Sequence, residues 1–258
     1  MISLILPAYN PGEKIVSTWF AVRNFLNAQP EPWEALFVLD GCTDDSSERL
    51  ERLAAETGDA RMKVLGYSEN KGKGHAVRTG LLAATGRVRV FTDVDLAYDF
   101  EDIQRIASEV SSDQPVAIAS RAHPDSLLMI PDRMLWYAFR RKLQSVAFRT
   151  ATRMLLGLKQ RDTQAGLKAF TAEVVEHLVP HLDCNGFGFD CELLYACNKA
   201  HIPVADFPVR VRYEEGTTTS TMTGFKMLRE LRTIRKAWKK KTISTFAANA
   251  PAGAKAAA

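Results

Sequence analysis

From the first residue to about position 120, short apolar runs alternate with stretches of helical periodicity. That alternation points to a mostly parallel sheet wrapped by helices. The apolar runs are residues 2–6, 35–38, 63–65, 88–92 and 116–119. Between the first two, Ile15, Trp19, Val22 and Leu26 recur at helical spacing and define one apolar face. Ile103, Ile106, Ala107 and Val110 stripe a later helix, and Thr43 stands where it can cap the helix carrying Leu50, Leu53 and Ala54. The predicted order is β-α-β-α-β, a Rossmann-like α/β fold.

In such sheets ligands bind beyond the carboxyl ends of the strands, so function belongs just after each apolar run. Polar clusters stand there: Pro7-Ala8-Tyr9-Asn10, Asp40-Gly41-Cys42-Thr43-Asp44 and Asp93-Val94-Asp95. Beyond residue 120 long helical stretches follow, with further strands expected over 166–170 and 204–211. No internal repeat is evident. The expected organisation is a catalytic domain over 1–224, a basic amphipathic helix over 225–241 and a disordered, Ala-rich tail over 242–258.

With 258 residues, 46% hydrophobic and 25% charged, the chain can bury one sizeable core, which excludes disordered and collagen-like classes. Cys42, Cys184, Cys191 and Cys197 have neither CxxC spacing nor the density of a disulfide scaffold, so a reducing compartment is expected. His177 and His181 lie near Cys184, but as helix-edge residues they read as solvated, and no structural metal is assigned. The chain opens on a strand-like run without the basic start of a signal peptide, and no apolar run approaches the ~20 residues of a spanning helix. The expected setting is cytoplasmic, with any membrane contact peripheral, at the inner face.

Asp93 and Asp95 flank one residue at a strand end, where carboxylates can hold a divalent cation. Mg²⁺ or Mn²⁺ is typically held by one or two carboxylates together with substrate phosphates, which suits a nucleotide diphosphate. The bland alternative is a solvated turn with a helix cap. Asp40 can accept hydrogen bonds from a base or ribose, or can serve only its own turn. Asn70-Lys71-Gly72-Lys73-Gly74 sets two cations and two glycines before a helix, allowing close approach of an anion, without Walker spacing. Asp190 and Glu192 flank Cys191; Asp190 is the candidate for orienting or deprotonating an acceptor, and Glu192 for bracing its helix.

Taken together and in order, these segments resemble the inverting family-2 glycosyltransferases, in the dolichyl-phosphate mannose and glucose synthase branch. The likeness spans residues 2–221. It continues through Ser120-Arg121, Arg161-Asp162-Thr163-Gln164-Ala165-Gly166-Leu167-Lys168, Gly188-Phe189-Asp190-Cys191-Glu192-Leu193-Leu194 and Pro208-Val209-Arg210. The resemblance implies a GT-A type fold, with Pro7, Tyr9, Asp40, Lys71 and Lys73 around the donor nucleotide and Arg121 in the phosphate region. It further implies Asp93 and Asp95 at the metal, with Gln164, Arg210 and Arg212 as candidates for acceptor or phosphate contact. Leu39 and Pro11 stand where family members usually carry Asp and Glu, and Gly216-Thr217-Thr218 lacks the lysine of the family's late turn.

Two segments read as membrane-surface elements. Between 131 and 158, Leu135, Trp136, Phe139, Phe148 and Leu155 interleave with Arg133, Arg140, Arg141, Lys142, Arg149 and Arg153. Later, Met227, Leu231, Ile234 and Trp238 follow helical spacing amid a dense set of Lys and Arg. The later segment equally fits a C-terminal helix packed on the domain with a solvated charged face. No nucleic-acid motif accompanies this charge.

The expected activity is transfer of a hexose from a nucleotide-diphosphate sugar, with inversion, to a polyprenyl phosphate. Alternatives are a hydroxyl acceptor in glycan or glycolipid synthesis, with Asp190 as base, or nucleotide-sugar binding without catalysis. A sugar nucleotidyltransferase is disfavoured because Pro7-Ala8-Tyr9-Asn10 replaces the glycine-rich turn that class carries.

Overall fold

The computed structural model describes residues 1–129, 131, 135–212 and 221–246, of which 135, 137–142, 212 and 221–226 are described by backbone alone. Four strands, β1 (Ile2–Ala8), β2 (Trp33–Asp40), β3 (Met62–Tyr67) and β4 (Val88–Phe91), lie parallel and are joined by α1 (Lys14–Asn27), α2 (Ser46–Thr57) and α3 (Lys73–Ala83). Then come α4 (Phe100–Ser108), β5 (Val116–Ala119), β6 (Leu127–Met129), α5 (Leu135–Leu156), β7 (Lys168–Thr171) and α6 (Ala172–Leu178). A 3-10 turn at Val179–His181, α7 (Phe189–Lys199), β8 (Val204–Phe207), β9 (Arg210–Arg212) and α8 (Thr221–Trp238) follow.

The main sheet runs β3-β2-β1-β4-β7-β5-β8, with β7 antiparallel to both neighbours, and β6 pairs with β9 in a separate two-stranded sheet. Every residue of β1 and β2 is buried, as expected of central strands covered on both faces. Side chains alternate between two cores: Leu4 and Leu6 join α1, α2 and α4 on one face, while Ile5 joins α3, α6, α7 and α8 on the other.

Several expectations are corrected. The strand expected over 35–38 runs from Trp33 to Asp40, because pairing with β1 and β3 continues past its most apolar residues. Thr43 does not cap α2, whose N-cap position is Asp45; the Thr43 backbone N–H instead donates to Asn10 Oδ1 at 2.8 Å. Val110 is buried but lies beyond the end of α4. The strand expected over 166–170 begins only at Lys168. The one expected over 204–211 breaks at Pro208, which has no N–H for a ladder, so β8 joins the main sheet and β9 the small one.

The largest correction concerns α8. Met227, Leu231, Ile234 and Trp238 are all buried, the last three in the second core, and Trp238 Nε1–H donates to Glu192 Oε1 at 2.8 Å. This apolar stripe is therefore closed to lipid, and Arg229, Arg232, Arg235 and Lys236 form its solvated face. Residues 242–246, expected in the tail, lie on the domain: the Phe246 N–H donates to the Ala200 carbonyl, and Ile243 and Phe246 pack on the core. Residues 247–258 and the 216–218 turn lie outside the described residues. Among the described residues no helix is long and apolar enough to cross a membrane.

Candidate active site

β1, β2 and β4 are adjacent and parallel, so the loops after them open at one edge of the sheet. Two of these loops are tied together by Asn10, whose side chain accepts from the Thr43 N–H and donates to Thr43 Oγ1. Asp44 completes the tie by accepting from the Gly12 N–H at 2.9 Å. Asp40 ends β2 and is only 2% exposed. Its carboxylate accepts from the Lys71 N–H (2.8 Å), the Gly72 N–H (2.9 Å) and the Tyr67 hydroxyl (2.7 Å). These bonds give Asp40 the local role of fixing the 70–74 loop. Gly41, at φ +60, lets that loop close over it, since a Cβ there would stand 2.2 Å from the Asn70 nitrogen.

The loop beyond β4 carries the pair of acids. Asp93 Oδ1 receives the Lys73 ammonium at 2.5 Å, and its Oδ2 lies against Gly166, where a Cβ would approach to 2.2 Å. Asp95 is solvent-facing and accepts from the Ala97 N–H at 3.2 Å. Desolvation by the loop, reinforced by the Asp93 charge, raises the Asp95 carboxyl above its ordinary value. Burial alone would lower the Lys73 ammonium, but Asp93 and Asp190 outweigh it and hold it above the usual lysine range. Two acids that repel each other, one of them already holding an ammonium, form a place a cation relieves. Among the described residues no cluster of three or more His, Cys, Asp or Glu side chains could cage a metal. The two carboxylates of Asp93 and Asp95 at one strand end fit Mg²⁺ or Mn²⁺ shared with ligand oxygens, the mode in which one or two carboxylates suffice.

Behind these acids stand two further ion pairs. Arg121 grips Asp162 with Nε at 2.7 Å and Nη2 at 3.0 Å, a fork geometry that fixes the guanidinium plane. Burial would raise the Asp162 carboxyl, yet Arg121 holds it below its ordinary range. Lys168 is fully buried in β7 and donates to Asp190 Oδ1 at 2.5 Å, with Asp190 itself 5% exposed. Tyr98 is buried within the influence of Arg121, Asp162, Asp93 and Lys73. Glu192 braces the far side of α7 by accepting from Trp238 Nε1–H and from the N–H groups of Asp183 and Cys184.

The remaining expected site residues divide. Tyr9 is 52% exposed beyond β1, and Lys71 sits over the Tyr67 ring at 5.3 Å, so both face outward. Pro7 is buried within β1. Gln164 turns toward α8, 3.6 Å from Met227 Sδ. Arg210 lies on β9 and reaches Glu101 of α4 at 3.5 Å, while the side chain of Arg212 is outside the described set. Sequence reasoning assigns no role to Asp162, Lys168, Tyr67 or Tyr98. Lys168 had a signal: a lysine inside Leu167-Lys168-Ala169-Phe170 is a cation in an otherwise apolar strand, and such residues are rarely buried unless paired.

The dolichyl-phosphate β-glucosyltransferase of Dictyostelium discoideum is 28% identical over 217 residues, covering 81% of this chain and 65% of that protein. Glycosyltransferase AglD of Haloferax volcanii is 32% identical over 213 residues, covering 81% of this chain and 32% of that protein. This chain thus spans less than two thirds of either. A crystal structure of glucosyl-3-phosphoglycerate synthase from Mycobacterium tuberculosis, in complex with Mn²⁺, uridine diphosphate and phosphoglyceric acid, superposes with a TM-score of 0.61 at 19% identity. That match covers 91% of this chain and 76% of the other, and it bears out the GT-A type fold. The family model for glycosyl transferase family 2 matches residues 3–179, and the chain belongs to that family.

Proposed function

We propose that this protein transfers a hexose from a nucleotide-diphosphate sugar to a polyprenyl phosphate, with inversion at the anomeric carbon and with Mg²⁺ or Mn²⁺ at Asp93 and Asp95. The observation that carries the reading is the grouping of Asp93, Asp95 and Lys73 beyond the carboxyl end of β4, in a family-2 chain similar to dolichyl-phosphate β-glucosyltransferases. Tyr9 and Lys71 face the donor side, and Lys73 and Arg121 supply positive charge where the leaving diphosphate becomes more negative. A bound divalent ion would add Lewis-acid neutralisation of that same charge. The acceptor attacks from the face opposite the diphosphate.

A phosphate acceptor is favoured over a hydroxyl by the state of Asp190. A hydroxyl needs its proton taken in the transition state, and a base must reach it. Asp190 is buried and its carboxylate is engaged by Lys168, so it does not stand where a base could reach an acceptor from the solvent side. A phosphate monoester is already largely anionic near neutrality, with a second pKa of about 6, and needs no base. A lipid acceptor also fits the outer surface: Leu127 and Met129 of β6 and Trp136, Leu143 and Met154 of α5 are exposed, with Arg149 and Arg153 among them.

The test is a panel of uridine- and guanosine-diphosphate sugars with Mn²⁺ and either polyprenyl phosphate or the matching polyprenol, following nucleotide diphosphate release. Release with the phosphate only, falling as pH drops below about 6, is expected. Release with the alcohol only would overturn the acceptor assignment. Asp95→Asn should abolish the release, because an amide keeps the shape but not the charge.

A further inference from the structure

Asp93 is held from both sides. One oxygen rests on Gly166, which has no Cβ to push it away, and the other carries the Lys73 ammonium at 2.5 Å. Lys73 is the first residue of α3, at the end of the loop whose backbone Asp40 fixes, so its point of attachment is set. Its ammonium is a compact point charge on a flexible stem, and it sits on the Asp93 oxygen that is not packed against Gly166, where a cation shared by Asp93 and Asp95 would bind. A divalent ion and an ammonium on one carboxylate oxygen repel each other, and the mobile partner is the lysine stem.

We propose that Lys73 is a placeholder in the cation site: Mg²⁺ or Mn²⁺ displaces it from Asp93, and it then pairs with the diphosphate oxygens of the incoming nucleotide. This rests on the metal-assisted reading given above. The displaced ammonium has few alternatives. Asp190 is close enough to act on its charge, but that carboxylate already holds the buried Lys168. The cation alone therefore leaves Lys73 beside a divalent charge without compensation, whereas nucleotide diphosphate supplies the missing anion. Metal and nucleotide should bind as a coupled pair, each raising the affinity for the other by the same factor. In the absence of a donor, Lys73 keeps Asp93 neutralised and the site ordered.

The experiment is titration of the full chain with Mn²⁺, with and without uridine diphosphate, reading free Mn²⁺ by its electron paramagnetic resonance signal. Lys73→Met should bind Mn²⁺ alone about tenfold more tightly than wild type, within the usual span of coupling factors of ~5–150-fold. Uridine diphosphate should then raise Mn²⁺ affinity less in the variant than in wild type. Lys73→Arg, which keeps the charge, should stay near wild type. Lys71→Met removes an equal charge from the same loop without touching Asp93, and should change Mn²⁺ affinity by less than about twofold, since an exposed charge acts through solvent. The proposal is overturned if Lys73→Met binds Mn²⁺ no more tightly than wild type, or if Lys71→Met gains as much. Asp93→Asn separates the two levels of inference: undiminished Mn²⁺ binding there would remove the metal from Asp93 and sink the underlying reading as well. Should Lys73→Met fail to unfold cooperatively, Lys73→Gln carries the same comparison.

Discussion

Helices α5 and α8 read alike in the sequence, as apolar residues threaded through Lys and Arg, yet they face opposite ways. In α8 the apolar residues fall at positions 227, 231, 234 and 238, a single stripe that a core can take in whole, and all four are buried. In α5, Trp136, Leu143, Val146 and Met154 share one exposed face, while Leu156 on the opposite side is buried and Phe148 and Leu155 pack against the second core, so apolar residues lie on both sides of the axis and no one surface covers them all. Composition is shared; angular distribution decides. The same contrast recurs among the acids: Asp40 and Asp190 are turned inward onto protein partners, and Asp95 is turned outward.

The most severe way to break the contrast is to delete residues 225–258. Because the deletion strips Leu231, Ile234 and Trp238 from the second core and leaves Glu192 without the indole donor, loss of cooperative unfolding is expected, read by circular dichroism in urea. A truncated protein that still unfolds cooperatively near the wild-type midpoint would make α8 an appendage. Trp238→Ala alone should cost about 3–5 kcal/mol.

Asp190→Asn should be nearly as damaging, about 3–5 kcal/mol, because it strands the buried Lys168 ammonium. Adding Lys168→Met should recover much of that loss. If the double variant is no more stable than the single one, Asp190 is not held by that pair, and its place among the inward-facing acids is lost.

Acid titration sharpens the contrast by sign. Burial alone would raise the Glu34 carboxyl, but Lys63 and hydrogen bonds from Ser3 and Thr85 outweigh it and hold it at about 2 against an ordinary 4.5. A depressed carboxyl contributes stability that is fully present above its unfolded pKa and is lost as pH falls through the folded one. About 3 kcal/mol should therefore disappear between pH 4.5 and 2. Glu34→Gln should flatten that segment of the stability curve. Asp95, whose carboxyl is raised, works in the opposite direction.

The smallest expected stability change belongs to α5. Trp136→Ala should alter unfolding free energy by no more than ~0.5 kcal/mol, as for other exposed positions. It should also weaken sedimentation with anionic vesicles. A loss of several kcal/mol would show that Trp136 is a packing residue, and α5 would then resemble α8.

Much of the fold was legible because its signal is local. Alternating apolar runs mark β1 to β5, and polar residues directly after them mark Asp93 and Asp95. What escaped depends on tertiary pairing. The antiparallel direction of β7 is invisible in Lys168-Ala169-Phe170-Thr171, which would read the same in either sense. Asp40 has the residue type of a ligand contact, and only the arrival of the 70–74 loop reveals that its oxygens are engaged. Lys73 was read as a cation for phosphate, but nothing in its spacing from Asp93 predicts that the two would meet.

The position of β7 bears on how the chain can be assembled. It lies between β4 and β5, although β4 ends at Phe91 and β7 begins only at Lys168. During synthesis the first four strands can pair as they emerge, but β4 then waits as an open edge while α5 is made, and β5 has neither of its sheet partners. Non-local pairing of this kind is slow, and unpaired edges are templates for association with other chains. The insertion of β7 joins the two portions of the sheet in one step, bringing Lys168 and Gly166 to Asp190 and Asp93. Nascent chains stopped before Lys168 should thus be the aggregating species, and catalytic competence should appear together with closure of the sheet.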